Sequence, residues 1–475
     1  MPSPPLTYIP PLLDGACGTT PHSQHPLPTA LHHELTHTLP LLPTLCRALL
    51  LQRFLPHPLY LLLACFEVGV LLAAVPLWFV LPGVVFAGWV AGCVGVGGVV
   101  VGWGLNGGMG KGERVLRCDA AVDGEGGVGG GAGGGDGWMM GQEVAEDEKW
   151  LFLGGMGMSS RRCHERTLPA LSRLFNRPVV CVCMPTYGMP FDILAMMLQR
   201  CFSMPSQVRR TLYSQMRSAL LDDAMNRCVV LCHNDSAVIV SQAVAQLCAD
   251  LPPEKLRKLE IYTFGAAASE FMMPLGDKSM ELESVHQAGD YMHERRGIHI
   301  EHFAMTNDPF AQMGVLQSVR QNMESRFCGS VFVMNDTAHT MQTARPKAMP
   351  TCSGLAMEDY LMALFPTQMA PDSPTMMRSV LDSVMTIDRD CAEKREIAAM
   401  SNYHAASQAK KGGKRLSWTG LATMAGQKNG MNAGMVALEM ARKGCKSCEG
   451  RKGREISWLA RYVAMEGKQA GEERQ

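Results

Sequence analysis

Residues 227–250 contain the side chains with the clearest potential for chemistry. The stretch reads RCVVLCHNDSAVIVSQAVAQLCAD: an apolar run at 228–232 typical of a strand, the polar segment 233–236, and apolar residues at helical spacing from Ala237. Strand, sharp turn and helix in this order predict a nucleophile elbow, in which the turn holds one side chain above the edge of a parallel sheet. A nucleophile held in this way transfers acyl groups.

The residue at the tip of this turn follows from the size of its neighbours. A tight elbow needs small residues two positions before and two positions after the nucleophile. Centring the turn on Asn234 places Cys232 and Ser236 there, whereas centring it on Ser236 places Val238 there. The nucleophile position is therefore predicted to hold asparagine, whose carboxamide is not a nucleophile and is not activated by a neighbouring base.

Asp308 and His339 complete a triad in the chain order nucleophile, acid, histidine. Each follows a predicted strand, so each is expected at the edge where open α/β sheets place ligands. His339 would accept the proton of a nucleophile, and Asp308 would orient the imidazole. Two other interpretations stay open, because Asp308 precedes a proline and could cap a helix, and His339 could be a surface loop residue.

The same edge offers candidates for an oxyanion hole. The backbone N–H of Asp235 directly follows the nucleophile position, and a second N–H is expected from the loop at Gly154 and Gly155. Strands must end here for these groups to meet, and the sequence predicts a mostly parallel α/β sheet with flanking helices. The predicted strands are 150–153, 178–183, 228–232, 259–264, 299–304 and 330–334, and the predicted helices are 169–175, 191–202, 208–224 and the one after the elbow.

Composition divides the 475 residues into five segments. The α/β domain is expected at 149–366, and the segments around it differ in their glycine, proline and charge content. They are a Pro/His/Leu-rich extension (1–58), one or two transmembrane helices (59–105), a Gly-rich linker (106–148) and a charged, basic, partly disordered tail (367–475).

The apolar stretch 59–105 is interrupted at Pro82 and Gly83, and its only charge is Glu67. Each half has about the 20 residues that span a bilayer. Basic residues flank both ends, which favours a hairpin with both termini and the α/β domain in the cytosol. The alternatives to this hairpin are a single span with a re-entrant second half and a pair of buried core helices.

His33 and His37 belong to an H-E-x-x-H sequence, which on a helix would bind zinc and use Glu34 as a general base. Prolines at positions 28, 40 and 43 limit such a helix to about three turns, and no suitable third ligand follows. A zinc protease is therefore a remote alternative, and we expect no metal or other cofactor.

Charge and cysteine content give no support for two further classes of protein, nucleic-acid-binding and disulfide-stabilised. Lys and Arg number 44 and so do Asp and Glu, so overall electrostatics give no support for a nucleic-acid partner. The 17 cysteines have no regular spacing, and several lie in apolar runs. We interpret them as reduced thiols rather than as a disulfide framework.

Four segments in order resemble a known family. Residues 150–366 are similar to the lipase-like α/β-hydrolase domain of membrane-anchored fungal proteins and, more distantly, to class 3 lipases and serine esterases. The elbow of that family reads A-H-S-Q-G-G, where this chain has C-H-N-D-S-A. The matching segments are 232–237, 262–267 (YTFGAA), 306–310 (TNDPF) with Gly314 after it, and His339 with 360–366 (YLMALFP).

The resemblance implies a membrane-anchored hydrolase fold, and the departures from it fall on the catalytic residues. Asn234 replaces the serine, Asp235 replaces the glutamine, and Ser236 and Ala237 replace two glycines. Loss of glycine from a strained turn adds a steric cost, which indicates relaxed constraint. The leading hypothesis is a lipase-like protein that is catalytically impaired and binds an acyl lipid or a protein partner.

The main alternative is an active lipase or esterase that uses Ser236 as a fallback nucleophile or Asp235 as an aspartyl nucleophile. Asp235 is one residue, and Ser236 two residues, away from the elbow register. Ser236 at the start of the helix would more naturally cap backbone N–H groups.

Overall fold

Parallel strands alternate with helices along the chain, as the sequence predicts. The computed structural model describes residues 6–11, 27–44, 58–99, 115–118, 147–156, 158, 163–186, 189–202, 204–272, 298–321, 327–335, 356–369, 379–392, 394–395 and 448–464. Within these residues the strands form one mixed, mostly parallel sheet with helices on its faces, and the protein is an α/β protein.

The described strands, numbered in chain order, are β1 Leu6–Ile9, β2 Val115–Cys118, β3 Glu148–Leu153, β4 Val179–Val182, β5 Arg227–His233, β6 Leu259–Phe264, β7 His299–Met305, β8 Ser330–Met334 and β9 Thr386–Ile387. They lie side by side in the order β2-β4-β3-β5-β6-β7-β8-β1-β9. Strands β4, β3, β5, β6, β7 and β8 pair in parallel, so their carboxyl ends lie at one edge.

The described α-helices are α1 Leu27–Thr38, α2 Pro58–Val80, α3 Gly83–Val99, α4 Leu168–Phe175, α5 Met189–Phe202, α6 Gln207–Leu221, α7 Ser236–Asp250, α8 Pro253–Leu256, α9 Pro309–Met313, α10 Met357–Leu364, α11 Pro366–Met369, α12 Gly453–Ile456 and α13 Leu459–Ala464. Short 3-10 helices occur at Leu39–Leu41 and Val380–Asp382, and π-helical turns at Cys163–Thr167 and Gln317–Gln321.

The central strands are buried on both faces, which explains why the sequence shows them as continuous apolar runs. Successive side chains of a strand point to opposite faces. In β3, Leu151 and Leu153 therefore join the core beneath α6 and α7. Trp150 and Phe152 join the second core, where the ring of Trp150 stacks on Phe175 of α4 at 5.0 Å.

The sheet extends beyond the domain predicted at 149–366. Strand β1, from the N-terminal extension, pairs antiparallel with β8 and parallel with β9 of the tail. Strand β2, from the segment assigned to the linker, pairs antiparallel with β4. Strands this short carry little local pattern, so composition alone assigned these segments to connecting regions.

The apolar stretch forms helices α2 and α3, which are separated at the predicted Pro82 and Gly83. The two helices pack against each other, and α2 also contacts α5. Among the residues that the structure describes, no helix combines the length and apolarity of a membrane span, so the transmembrane part of the prediction has no support.

Part of the tail belongs to the folded structure. Helix α13 lies at the amino ends of the strands, where Tyr462 contacts the edge of the Trp150 ring at 4.8 Å and its hydroxyl donates to Glu260 near the start of β6. Residue Ile387 lies in β9, and helix appears at 389–392. These tail residues bury apolar side chains, such as Leu459 and Ala460, in the second core, so the tail predicted to be partly disordered includes folded segments.

Candidate functional site at the carboxyl edge of the sheet

Asn234 lies at the tip of the turn between β5 and α7. Its φ of 54° is in the left-handed region, which non-glycine residues rarely adopt and asparagine tolerates better than most. The Asn234 N–H donates to the Phe264 carbonyl at 2.9 Å, and the Asn234 carbonyl accepts from the Ala267 N–H at 3.1 Å. The turn is thus attached to the end of β6, and Asn234 is fully buried.

Ser236, the fallback nucleophile, lies beneath the turn instead of facing the edge of the sheet. Its Oγ lies 3.0 Å from the Leu153 carbonyl and 2.7 Å from the His233 carbonyl, and its single proton is donated to one of them or shared between them. The same Oγ accepts from the His233 N–H at 2.9 Å. A buried hydroxyl with these three partners fastens the elbow to β3, so the alternative in which Ser236 is a nucleophile does not fit its position.

Asp235 occupies the place where the sequence predicts an oxyanion hole. Its Oδ1 accepts a hydrogen bond from the Met156 N–H at 2.5 Å. The backbone N–H groups of Asp235 and Ser236 also favour the charged carboxylate, but burial outweighs all three donors. Burial, together with the nearby charge of Asp192, raises the pKa of Asp235 to about 7.

The glycines of the loop after β3 allow this contact. A side chain on Gly155 would collide with the His233 carbonyl and approach Asp235 Oδ1 to 2.8 Å, so only glycine fits there. A side chain on Gly154 would overlap Met158 instead. The loop therefore does supply a donor to the elbow, but the donor aimed at this position is the N–H of Met156, one residue beyond the predicted pair.

Asp308 lies at the carboxyl edge after β7, on the far side of β6 from the elbow. It caps α9 through a bond from the Phe310 N–H at 2.9 Å, and it accepts from the Tyr360 hydroxyl at 2.6 Å. Burial raises the pKa of Asp308 to about 7, although these bonds oppose the rise. The capping role and the position expected of a triad acid are thus compatible.

Gly265 brings the carboxamide and this carboxylate together. Its φ is 64°, and a methyl group on it would overlap the Asp308 carboxylate. The same methyl would lie 2.8 Å from Asn234 Oδ1 and 2.9 Å from the Tyr360 hydroxyl. Asn234, Asp308 and Tyr360 therefore surround one point that is kept free of a side chain.

Tyr360, Asp192 and Arg200 are site residues that the sequence analysis did not identify. Tyr360 lies in the segment 360–366, whose resemblance to lipase-like proteins was its only signal in the sequence. Asp192, on α5, accepts a hydrogen bond from the Thr186 hydroxyl at 2.5 Å. Arg200, also on α5, donates to both Glu34 oxygens and to the Ala267 and Met313 carbonyls, so it attaches α1 to the loops at this edge.

The H-E-x-x-H sequence lies on α1, but its glutamate is engaged elsewhere. Glu34 is buried, and its two carboxylate oxygens are 2.8 and 3.1 Å from the Arg200 guanidinium. The side chains of His33 and His37 lie outside the described residues. No group of His, Cys, Asp and Glu suited to a metal ion occurs in the described ranges.

His339, the predicted base, also lies outside the described residues. Comparison with known proteins adds no name for the site, since no protein-family model and no curated protein matches the chain. The described geometry consists of a strained asparagine, two buried carboxyl groups and one N–H donor from the loop after β3. Such groups can bind and orient a polar ligand, but the carboxamide of Asn234 at the elbow tip is not a nucleophile.

Proposed function

We propose that the chain is a membrane-associated protein with a lipase-like α/β-hydrolase domain that has lost acyl transfer and binds an acyl lipid at the former catalytic edge. The observation that supports this most strongly is the left-handed Asn234 at a strand–turn–helix junction. Strained residues of this kind persist where function once required or still requires them.

Neighbouring features agree with this proposal. A nucleophile elbow places the residue after the nucleophile and a loop from another strand around the oxyanion. Here Asp235 and Met156 occupy those two places, and their contact distance is 2.5 Å. An acid after a later strand completes the pattern, as Asp308 does. Asparagine in place of the nucleophile explains why activity is lost while the scaffold remains.

A fluorophosphonate probe tests the loss of the nucleophile. The full-length chain is compared with the Asn234→Ser/Asp235→Gln variant, which restores the family's serine and glutamine. We expect no labelling of the native chain and labelling of the double variant, because serine at the strained tip would face the donors of the hole. The readout is covalent mass addition, mapped to position 234 by peptide mass spectrometry.

The matched control is Asn234→Ala/Asp235→Gln, which has the same second substitution and no hydroxyl at the tip. It should remain unlabelled, and Asp308→Asn or His339→Ala in the serine background should slow the labelling. Labelling of the native chain would contradict the proposal and favour the active-esterase alternative. Absence of labelling from the folded double variant would mean that the edge is not a former hydrolase site.

The second part of the proposal is lipid association through the hairpin of α2 and α3. Large apolar side chains on these helices are exposed: Leu72 by 71%, Phe79 by 82% and Val84 by 86%. A continuous exposed apolar surface of this kind marks an interaction site. We propose that it lies against a lipid bilayer, next to α5 and the carboxyl edge, which would give an acyl ligand a short path to the site.

Flotation with vesicles of phosphatidylcholine and phosphatidylserine tests this part. The native chain should float with the vesicles, and Leu72→Glu/Phe79→Glu/Val84→Glu should stay at the bottom, because each buried charge costs about 2.5–3.5 kcal/mol in a bilayer. Leu221→Glu at the end of α6 is the control, since Leu221 is also exposed, by 42%. Equal flotation of the triple variant would refute the proposal.

A further inference from the structure

Three buried thiols meet at the carboxyl end of β4. The Sγ atoms of Cys163 and Cys181 are 3.2 Å apart, and those of Cys181 and Cys183 are 3.9 Å apart. The three residues are 2%, 1% and 7% exposed, in that order, and they lie in the second core. Cys163 begins the π-helical turn Cys163–Thr167, Cys181 lies in β4, and Cys183 follows that strand.

The spacing of Cys163 and Cys181 suits a disulfide. A sulfur–sulfur bond is about 2.05 Å long, so the two sulfurs must approach each other by roughly 1.2 Å from the 3.2 Å of the reduced pair. Cys181 and Cys183 are a poorer pair, because two positions along an extended chain separate the Cα atoms by about 6.6 Å. That separation is at the upper limit for a disulfide, so the geometry favours the bond to Cys163.

The two sulfurs also differ in their readiness to react. The hydrogen bond with Cys163, together with burial, raises the pKa of Cys181 well above the usual value for a thiol. Because the thiolate is the form that attacks an oxidant, Cys163 is the sulfur expected to react first. Hydrogen peroxide is small and uncharged, so it can reach a buried sulfur when the surrounding structure opens locally.

We propose that Cys163 and Cys181 are a redox-responsive pair, in which a hydroperoxide oxidises Cys163 and Cys181 then closes a disulfide. In the first step the O–O bond breaks, Cys163 becomes a sulfenic acid, and one water leaves; the sulfur loses the two electrons that the peroxide gains. In the second step the Cys181 sulfur attacks the Cys163 sulfur and the S–O bond breaks. The hydroxyl leaves with the Cys181 proton as a second water.

The disulfide would join two segments that border the candidate site. The turn Cys163–Thr167 is held to α10 by the Thr167 hydroxyl, which donates to Glu358 at 3.1 Å. The chain beyond β4 reaches Thr186, whose hydroxyl donates to Asp192. The bond also closes a loop between residues 18 positions apart, which stabilises the fold mainly by restricting the unfolded chain. This inference does not depend on the proposed function.

Peptide mapping of the full-length chain tests the proposal. The reduced protein is treated with hydrogen peroxide, its remaining thiols are blocked, and tryptic peptides are analysed without reduction. Arg166 and Arg173 separate Cys163 from the other two thiols, whereas no Lys or Arg separates Cys181 from Cys183. We expect two linked peptides that have lost two hydrogens and that dithiothreitol separates. The oxidised chain should melt at least about 5 °C higher than the reduced chain.

Two variants identify the sulfurs. Cys183→Ala should keep the linked peptides and the rise in melting temperature, whereas Cys163→Ala should lose both. Oxidation of Cys65, an exposed thiol on α2, shows that the peroxide has acted. Absence of linked peptides from the native chain despite oxidation of Cys65, or loss of the link in folded Cys183→Ala, would overturn the proposal. An equal rise in melting temperature in Cys163→Ala would overturn it as well. If Cys163→Ala does not fold, the peptides of the native chain and of Cys183→Ala decide the question.

Discussion

The two edges of the sheet hold buried carboxylates in different ways. At the amino edge, Glu260 accepts from the hydroxyls of Tyr262 at 2.6 Å and Tyr462 at 2.8 Å, with the Arg227 guanidinium 4.0 Å away. Glu301 accepts from the Ser457 hydroxyl at 2.8 Å and the Trp458 N–H at 2.7 Å. Several strong donors thus compensate the burial of each glutamate.

At the carboxyl edge, hydrogen-bond donors offset only part of the free-energy cost of burying a carboxylate. Asp235 and Asp308 have hydrogen-bond donors, but burial still raises the pKa of each to about 7. Positive φ does not separate the two edges, because it occurs at Asn234 and Gly265 here and at Asn176 and Gly329 before β4 and β8. Perturbed carboxyl groups, in contrast, cluster at functional sites. The difference indicates that the amino edge is built for stability and the carboxyl edge for a ligand.

Removal of the Glu301 carboxylate should have the largest effect on stability. In Glu301→Ala, the Ser457 hydroxyl and the Trp458 N–H lose their acceptor, which should cost about 3–5 kcal/mol of unfolding free energy. Helix α13 should also become a target for proteases, because Glu301 links it to β7. Urea unfolding and limited proteolysis measure the two effects.

Glu455→Ala is the matched control, because Glu455 is an exposed glutamate on α12. It should change the unfolding free energy by less than about 0.5 kcal/mol. If Glu301→Ala were equally mild, the amino edge would not be the stabilising region that its hydrogen bonds indicate.

A methyl group on Gly265 should be the next most damaging change. Gly265→Ala forces a left-handed alanine, at about 1–2 kcal/mol, and pushes the methyl into the Asp308 carboxylate, at about 1–3 kcal/mol. Urea unfolding should therefore show a loss of roughly 2–5 kcal/mol. Gly83→Ala has open space around it and should show no loss. Equal stability of the two variants would mean that the edge has room to adapt.

Local sequence was sufficient where a segment's own pattern decides its structure. Strands β6 and β8 match their predicted residues, because each is an apolar run with a clear break at its end. The size rule for small neighbours selected Asn234, which has the expected strained backbone. Both features depend on residues within a few positions of one another.

Distant contacts explain what the sequence could not predict. Strand β1 finds β8 more than three hundred residues along the chain, and a four-residue run carries no information about that partner. The bond from Met156 to Asp235 joins residues 79 positions apart. Arg200 and Glu34 are 166 positions apart, so the H-E-x-x-H pattern could not reveal that its glutamate pairs with an arginine.

Tyr360→Phe should weaken the carboxyl edge by a smaller amount. The hydroxyl donates to Asp308 at 2.6 Å and accepts from the Met305 N–H at 3.2 Å, and its loss should cost about 1–3 kcal/mol in urea unfolding. The pKa of Asp308 should rise further, since the Tyr360 bond holds it down. Tyr213→Phe, which loses an exposed bond to Asp250, is the control and should be nearly neutral. If Tyr360→Phe left the unfolding free energy unchanged, the Tyr360 hydroxyl would not contribute to the stability of the carboxyl edge.

The smallest expected effect is a pH-dependent gain in Asp235→Asn. Folding raises the pKa of Asp235 from 3.8 to about 7, so the native chain loses stability as the pH rises through that interval and keeps the loss above it. The neutral amide does not titrate, and its burial costs free energy at every pH, so the variant should be less stable than the native chain near pH 4. At pH 8 the stability that the native chain has lost outweighs that cost, and the variant should be more stable by on the order of 1 kcal/mol. Asp308 titrates in both proteins and cancels in the comparison. Urea unfolding at the two pH values measures the difference, and an equal difference at both would mean that the donors fully compensate the burial of the Asp235 carboxylate.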